Sequence, residues 1–263
     1  MVRKVDRYSI LEVEQFVGIS RTKIRHYMDK NLINVQRDDQ SGYYSYTFED
    51  LMRICQIAYY RENLGFSIDK AEQLLKTTDG REFEAIIRDQ MQYLKREIAV
   101  RDQQYKTVVF NCKLLDRQNR HKDHITLIPF DAAYIVPYNY YLIPYHKVYP
   151  ILYGASEFAF VNGEIKHVRR CCLAFEQDAE FVSKDAFDSF RVEGERVEVG
   201  LCIYTVTLTT KNPHDPSLLQ PVIDWAHEHS FRIKGRIFVT HFFPYYDEGT
   251  TYMYVESYLP IDL

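Results

Sequence analysis

EAIIRDQMQYLKREIAVRDQQYKTVVFNCKLLDRQ, residues Glu84 to Gln118, is the stretch on which the fold turns. Within it Ile87, Met91, Leu94, Ile98, Arg101, Tyr105, Val108, Cys112 and Leu115 recur at alternating steps of four and three. That heptad spacing keeps one stripe of a helix against a partner. Only Arg101 interrupts the apolar seam, and residues of both charge signs occupy the other faces, with no Pro or Gly after Gly80. Such a helix is a rod of roughly 50 Å. It reads either as a paired coiled-coil helix or as a long amphipathic core helix.

Composition differs on the two sides of the rod. Residues 1–120 carry 21 Lys and Arg against 18 Asp and Glu, a net of +3, and the remainder carries 12 against 19, a net of -7. Of the 22 Tyr in the chain, most lie after the rod. A mildly basic front and an acidic, tyrosine-rich back imply two different partners. The 263 residues suffice for two modest domains. Five scattered cysteines without a CxxC pair fit reduced thiols, no apolar span reaches membrane length, and the first residues lack a leader's apolar core, so a cytoplasmic location is expected.

Ahead of the rod, Ser9 is placed to cap a helix with Ile10 and Val13 on one face. Gly18 permits a turn, and Ser20 caps a second helix, Arg21 to Lys30, with Ile24 and Tyr27 inward and Arg21, Lys23, Arg25 and Lys30 outward. Two short helices about a glycine turn, the second rich in cations, form the pattern of a helix-turn-helix. Leu32 to Val35 and Tyr43 to Tyr46 flank the polar turn Asp38 to Gly42 as a hairpin wing. Thr47 with Asp50 caps a third helix ending near Gly65, and Ser67 starts a fourth.

These residues resemble the amino-terminal domain of MerR-type transcription regulators. The resemblance is carried by Ile24-Arg25-His26-Tyr27 leading to Leu32-Ile33, by Gly42-Tyr43 with Tyr46, by Phe48-Glu49-Asp50-Leu51, and by Leu64-Gly65-Phe66-Ser67-Ile68. It implies an all-α winged helix-turn-helix over residues 1–80 and an antiparallel coiled-coil dimerisation helix over 81–118. It also implies a homodimer on a palindromic double-stranded DNA operator, with RNA polymerase engaged indirectly at the promoter. Arg21, Lys23, Arg25 and Tyr43 are the DNA contacts it implies. His26, Tyr44 and Ser45 depart from the family pattern, and Tyr44 removes a cation from the wing. Cys112 is a lone seam cysteine and reads as packing, so no metal and no cofactor are expected.

After a charged linker around 119–124 the period changes. Ala133 to Val136, Arg170 to Phe175, Val197 to Leu208 and Arg236 to Phe243 read as strands, and Tyr149 to Phe160 and Ser217 to His229 as helices. This is an α+β domain with one antiparallel sheet. In the last strand Tyr252, Tyr254, Glu256 and Tyr258 share one face by alternation. A carboxylate among rings suits an organic cation, while pairing of Glu256 with an Arg, tyrosine hydroxyls or solvent is the structural alternative.

Residues 125–263 are similar to the GyrI-like effector-binding domain of multidrug-responsive MerR regulators, with Val255-Glu256 at the place of its acidic residue. The resemblance implies a lipophilic cationic or aromatic ligand held by Glu256, Tyr254, Tyr258, Tyr252, Tyr204, Tyr141 and Tyr145, with Tyr138 and Phe243 as further candidates. It implies a regulator and not an enzyme; the alternative it leaves is a small-molecule hydrolase with Glu256 as general base and Tyr254 beside it.

Overall fold

The computed structural model describes residues 7–37, 42–137 and 152–262; Tyr138, Tyr141 and Tyr145 lie outside them. Contacts divide the chain into two compact units, one ending at Ile98 and the other starting at Ala99.

The first unit opens with α1 (Ile10–Val17) and α2 (Arg21–Asp29), each starting where a serine side chain accepts from the third helical N–H. Gly18 takes the left-handed conformation that ends α1 and allows the chain to turn into α2. Asn31 does the same after α2, with φ 57. The wing pairs β1 (Gln36–Arg37) with β2 (Tyr44–Ser45) in antiparallel register. Leu32 and Ile33, expected in its first strand, are instead buried in the core, since an apolar pair this close to α2 is drawn inward and the ladder starts at the next polar residues.

Thr47 and Asp50 form a reciprocal capping box at α3 (Phe48–Ala58), which continues through a π-helical turn, Tyr59–Asn63. Then follow α4 (Ile68–Lys76) and the start of α5 (Gly80–His121). Val13, Ile24, Tyr27, Tyr46, Leu51, Ile54 and Ile57 fill one core. Tyr60, Phe66, Ala71, Leu74 and Ile86 fill a second core, which includes the first turns of α5.

Helix α5 runs for 42 residues, to His121, so Asn119 to His121 are its last turn and not a linker. Its expected seam faces solvent: Ile98 is 68% exposed and Tyr105 69%. A different stripe of its later part, Phe110, Leu114 and Gln118, at successive steps of four, is buried in the second unit. The helix thus carries an exposed heptad stripe on one face and a core stripe on another.

In the second unit the strands are β3 (Thr126–Phe130), β4 (Ala133–Pro137), β5 (Leu152–Val161), β6 (Glu164–Phe175), β7 (Glu195–Val197), β8 (Gly200–Thr209), β9 (Arg232–Ile233), β10 (Arg236–Asp247) and β11 (Thr250–Asp262). They form an antiparallel sheet in the order β3-β8-β11-β10-β5-β6-β4-β7, with β9 paired to β11. Helices α6 (Lys184–Glu193) and α7 (Gln220–Glu228) pack on it. Alternation along β11 sends Tyr254 and Tyr258 into the core shared with α5, and Val255 and Leu259 into the core shared with α7.

From Leu152 onward the helix expected over Tyr149 to Phe160 is strand β5. Tyr153 and Ala155 enter one core and Phe158 and Phe160 the other, so burial on both faces hides the alternation that marks a strand. Gly154 belongs to the strand because a Cβ there would sit 2.6 Å from His241 Nε2. Asn162 and Gly163, both with positive φ, close the β5–β6 hairpin as expected.

Candidate functional site

The first unit presents its cations on α2 and the wing. Arg21 is held by Glu14, with Nε 2.9 Å from the carboxylate, and Lys23 Nζ lies 2.7 Å from Glu62. Both pairs are exposed and therefore weak, so an incoming phosphate can compete for either cation. Arg25 is exposed and enters no ion pair among the described residues. Tyr43, at the wing, is 78% exposed. Buried Ile24 and Tyr27 root α2, so Arg21 and Arg25 are displayed from a fixed helix.

Arg37 was absent from the expected contacts. It is the cross-strand partner of Tyr44, its guanidinium carbon lies 4.9 Å from the ring centroid, and Nη2 donates to the Tyr44 hydroxyl at 3.3 Å. The wing therefore keeps a cation, supplied from the opposite strand. The usable signal was Gln36-Arg37 directly before the polar turn, which a strand placed at Leu32 to Val35 conceals.

In the second unit the most buried carboxylate among the described residues is Glu256, 2% exposed. Arg117, from α5, reaches it with Nη2 at 2.9 and 3.1 Å from the two carboxylate oxygens. Tyr258 donates to the same carboxylate at 2.8 Å. Burial alone would lower the Arg117 guanidinium, but the facing Tyr258 and Glu256 hold it above its ordinary value, so it remains a cation. The structural alternative for Glu256, pairing with an Arg and a tyrosine, is what this structure contains. Its oxygens accept from Arg117, Tyr258 and, at 3.5 Å, the Gln118 amide.

Tyr204 stands beside this pair, its ring 4.9 Å from that of Tyr258. Its buried hydroxyl has no hydrogen-bond partner among the described residues. Tyr254 is partly buried against the same core. Tyr252 does not join them; its ring lies 6.3 Å from Tyr245 in the β10–β11 hairpin.

Next to the pair is a cavity of about 280 Å³, lined by Phe110, Lys113, Leu114 and Arg117 of α5, Ile128, Pro129 and Asp131 on and after β3, Tyr153, Phe175, Gln177, Asp178, Phe181 and Tyr258. The Phe110 ring lies 5.4 Å from Phe181 and 6.1 Å from Tyr153 in tilted and edge-on contacts. Asp178 is nearly buried and accepts from the Tyr153 hydroxyl at 3.0 Å. Burial raises its carboxyl from 3.8 to about 6, against the lowering effect of that hydrogen bond and of Arg117. Neither Asp178 nor Arg117 was singled out beforehand. Asp178 lies within a short 3-10 turn, Glu176–Phe181, which has no period of its own, and Arg117 sits in a run of charges that reads as a solvated face.

The arrangement of α1, α2, wing and α3 defines a helix-turn-helix module, here joined to an α+β unit with an internal cavity. Residues 8–78 match the MerR HTH family regulatory protein model, so the chain carries a MerR-type helix-turn-helix domain at its amino-terminal end. It is 37% identical over 68 residues to the HTH-type transcriptional activator TipA of Streptomyces coelicolor, covering 26% of this chain and 26% of TipA. To the HTH-type transcriptional activator mta of Bacillus subtilis it is 30% identical over 69 residues, again 26% of each. The chain thus spans about a quarter of the length of these relatives. The cryo-EM structure of an EcmrR–DNA complex aligns over 97% of this chain and 99% of that one at 15% identity, with a TM-score of 0.40. Among the described residues no helix is long and apolar enough to cross a membrane.

Proposed function

We propose that this protein is a cytoplasmic, ligand-responsive transcription regulator. It binds a palindromic operator as a homodimer through residues 1–80, pairs through the exposed seam of α5, and acts on RNA polymerase through the shape of the promoter DNA. Arg21, Lys23, Arg25 and Tyr43, joined by Arg37, contact the operator, and residues 125–263 are a GyrI-like effector-binding domain. The observation that carries this reading is the matched helix-turn-helix with its cation-bearing α2, followed by a helix whose heptad stripe is left uncovered.

The effector is a small lipophilic cation. Rings of Phe110, Tyr153, Phe175, Phe181 and Tyr258 line the cavity; Lys113 stands 4.4 Å from the Phe181 centroid and Arg117 5.7 Å from that of Tyr153, so Phe110, Phe175 and Tyr258 are the rings that offer π-faces to a ligand cation, beside the acidic side chains. Tyr258 touches the ligand, Tyr204 and Tyr254 back it, and Glu256 acts through Arg117. A ligand shifts the regulator only by its differential affinity for two arrangements of the dimer, which then twist or bend the operator differently.

The test is selection of preferred duplexes from a random pool, followed by footprinting with and without a panel of aromatic cations. Enrichment of an inverted repeat, with a footprint that changes on saturation, supports the reading. Binding without sequence preference overturns the regulator, and an unaltered footprint with a saturating ligand overturns the sensor.

A further inference from the structure

We propose that Asp178, and not Glu256, is the carboxylate that receives the cationic head of the effector, and that the effector is a compact aryl quaternary ammonium or comparable monocation. This deepens the reading above and rests on it.

The argument is a balance of charges around one cavity. Two cations line it, and each is already matched: Arg117 by both oxygens of Glu256, and Lys113 by Glu180 at 3.1 Å. Two acids line it, Asp131 and Asp178, and neither forms an ion pair among the described residues. The uncompensated charge in the cavity is therefore negative. Asp131 is exposed, so water serves it; Asp178 is nearly buried, and its one hydrogen bond among the described residues comes from the Tyr153 hydroxyl. A buried carboxylate with a single hydrogen bond is costly, and a cation placed against it relieves that cost.

Glu256 is in the opposite condition. Its buried oxygens are occupied by Arg117 and Tyr258, and a ligand would have to expel a guanidinium to reach them. Tyr153 links the two carboxylates: it donates to Asp178, and its hydroxyl lies 3.4 Å from Arg117 Nη2. An organic cation at Asp178 thus sits one tyrosine away from a pair anchored on α5. The cavity, at about 280 Å³, is at the small end of ligand pockets, which run from about 300 Å³ upward, and accommodates one ring and a cationic head.

The groups that face Asp178 are Tyr153 from β5, Arg117 and Lys113 from α5, Asp131 after β3 and Glu256 from β11. Since its carboxyl is raised to about 6, acidification discharges the receiving group within an accessible range.

The experiment is calorimetric titration of the full-length protein with benzyltrimethylammonium, a permanent cation, and with benzenesulfonate as the anionic control. Expected is binding of the cation only, at least about tenfold weaker in Asp178→Asn. Wild-type affinity should fall as pH drops through about 6 and stay flat in Asp178→Asn, a readout taken on the wild-type protein that does not depend on how well any variant folds. Binding unchanged in Asp178→Asn, or a wild-type profile without that acid limb, overturns the assignment to Asp178 while leaving the cation reading intact. Preference for the sulfonate, or no cation binding by the wild-type protein, overturns both.

Discussion

Arg117 and Glu256 stand 139 residues apart in sequence and meet as a pair whose carboxylate is buried and whose guanidinium is partly so, Nη2 reaching both carboxylate oxygens. The pair fixes the last turns of α5 to the centre of the antiparallel sheet. Removing one partner leaves the other charge without compensation, a loss of about 3–5 kcal/mol, whereas replacing both by uncharged groups of similar shape is close to neutral. Arg117→Met should therefore lower the stability of the protein by that amount, and R117M/E256Q should recover most of it. Urea unfolding of the two single variants and the double variant measures the coupling; additive losses would show that the pair does not act as one.

The two tyrosines beside this pair should respond in opposite ways. Tyr258 donates to Glu256, and loss of a hydrogen bond to a charged group costs about 1.5–3 kcal/mol, so Tyr258→Phe should destabilise by about that much. Tyr204 has a buried hydroxyl without a partner among the described residues, so Tyr204→Phe should be neutral or stabilising by up to about 1 kcal/mol. Equal losses in both variants, read from denaturant midpoints, would mean that the Tyr204 hydroxyl is bonded in solution.

Local chemistry made the first unit legible. Ser9, Ser20, Thr47 and Ser67 each cap the helix assigned to them, and Gly18, Asn31 and Gly65 take the positive φ their places require. Such signals act over three or four residues and so are written in the chain. The second unit depends on distant partners. Strand β5 is buried on both faces and loses its period, and α6 was not anticipated. The alternation of β11 was plain, but what faced Glu256 was not, because its partner arrives from a helix 139 residues earlier. The same gap hid Asp178, whose neighbours Tyr153 and Arg117 come from two other elements.

Asp178 makes a prediction about the ligand-free protein. Its carboxyl is raised to about 6 when folded, from an ordinary value of 3.8. The folded state then holds the proton more tightly than the unfolded chain. That contribution is full below pH of about 4 and is lost as pH rises through about 6. Asp178→Asn should thus stabilise the protein at pH 8 by about 3 kcal/mol, at 1.36 kcal/mol per unit, and confer little at pH 4. Unfolding of wild type and variant at pH 4, 6 and 8 checks this; a constant difference would place the carboxylate in an ordinary solvated setting.

On the DNA face, Arg25 and Arg37 are the cations without an anionic partner among the described residues, while Arg21 and Lys23 share theirs with Glu14 and Glu62. Replacing either arginine by Ala should weaken operator binding at least about threefold and reduce the slope of log K against log salt by about 1. Glu62→Gln should strengthen binding slightly by freeing Lys23. Fluorescence anisotropy over a salt series distinguishes these, and an unchanged slope in Arg37→Ala would remove the wing cation from the interface.

The exposed stripe of α5 carries the last prediction. Met91, Leu94, Ile98, Tyr105, Val108 and Leu115 are all exposed, a row of apolar side chains at heptad spacing that a partner helix would cover. Arg101 lies in the same row; its Nη1 donates to Gln104 one turn on, at 2.9 Å, and it enters no ion pair among the described residues. If the row is the dimer seam, Ile98→Asp puts an unpaired charge into it and should weaken association at least about thirtyfold, near 2 kcal/mol. Arg101→Leu extends the apolar row and should strengthen association, or alter its register. Sedimentation equilibrium across a concentration series, with operator binding measured on the same samples, tests both. A wild-type protein that stays monomeric, or an Ile98→Asp variant that pairs as well as wild type, would place the twofold axis elsewhere.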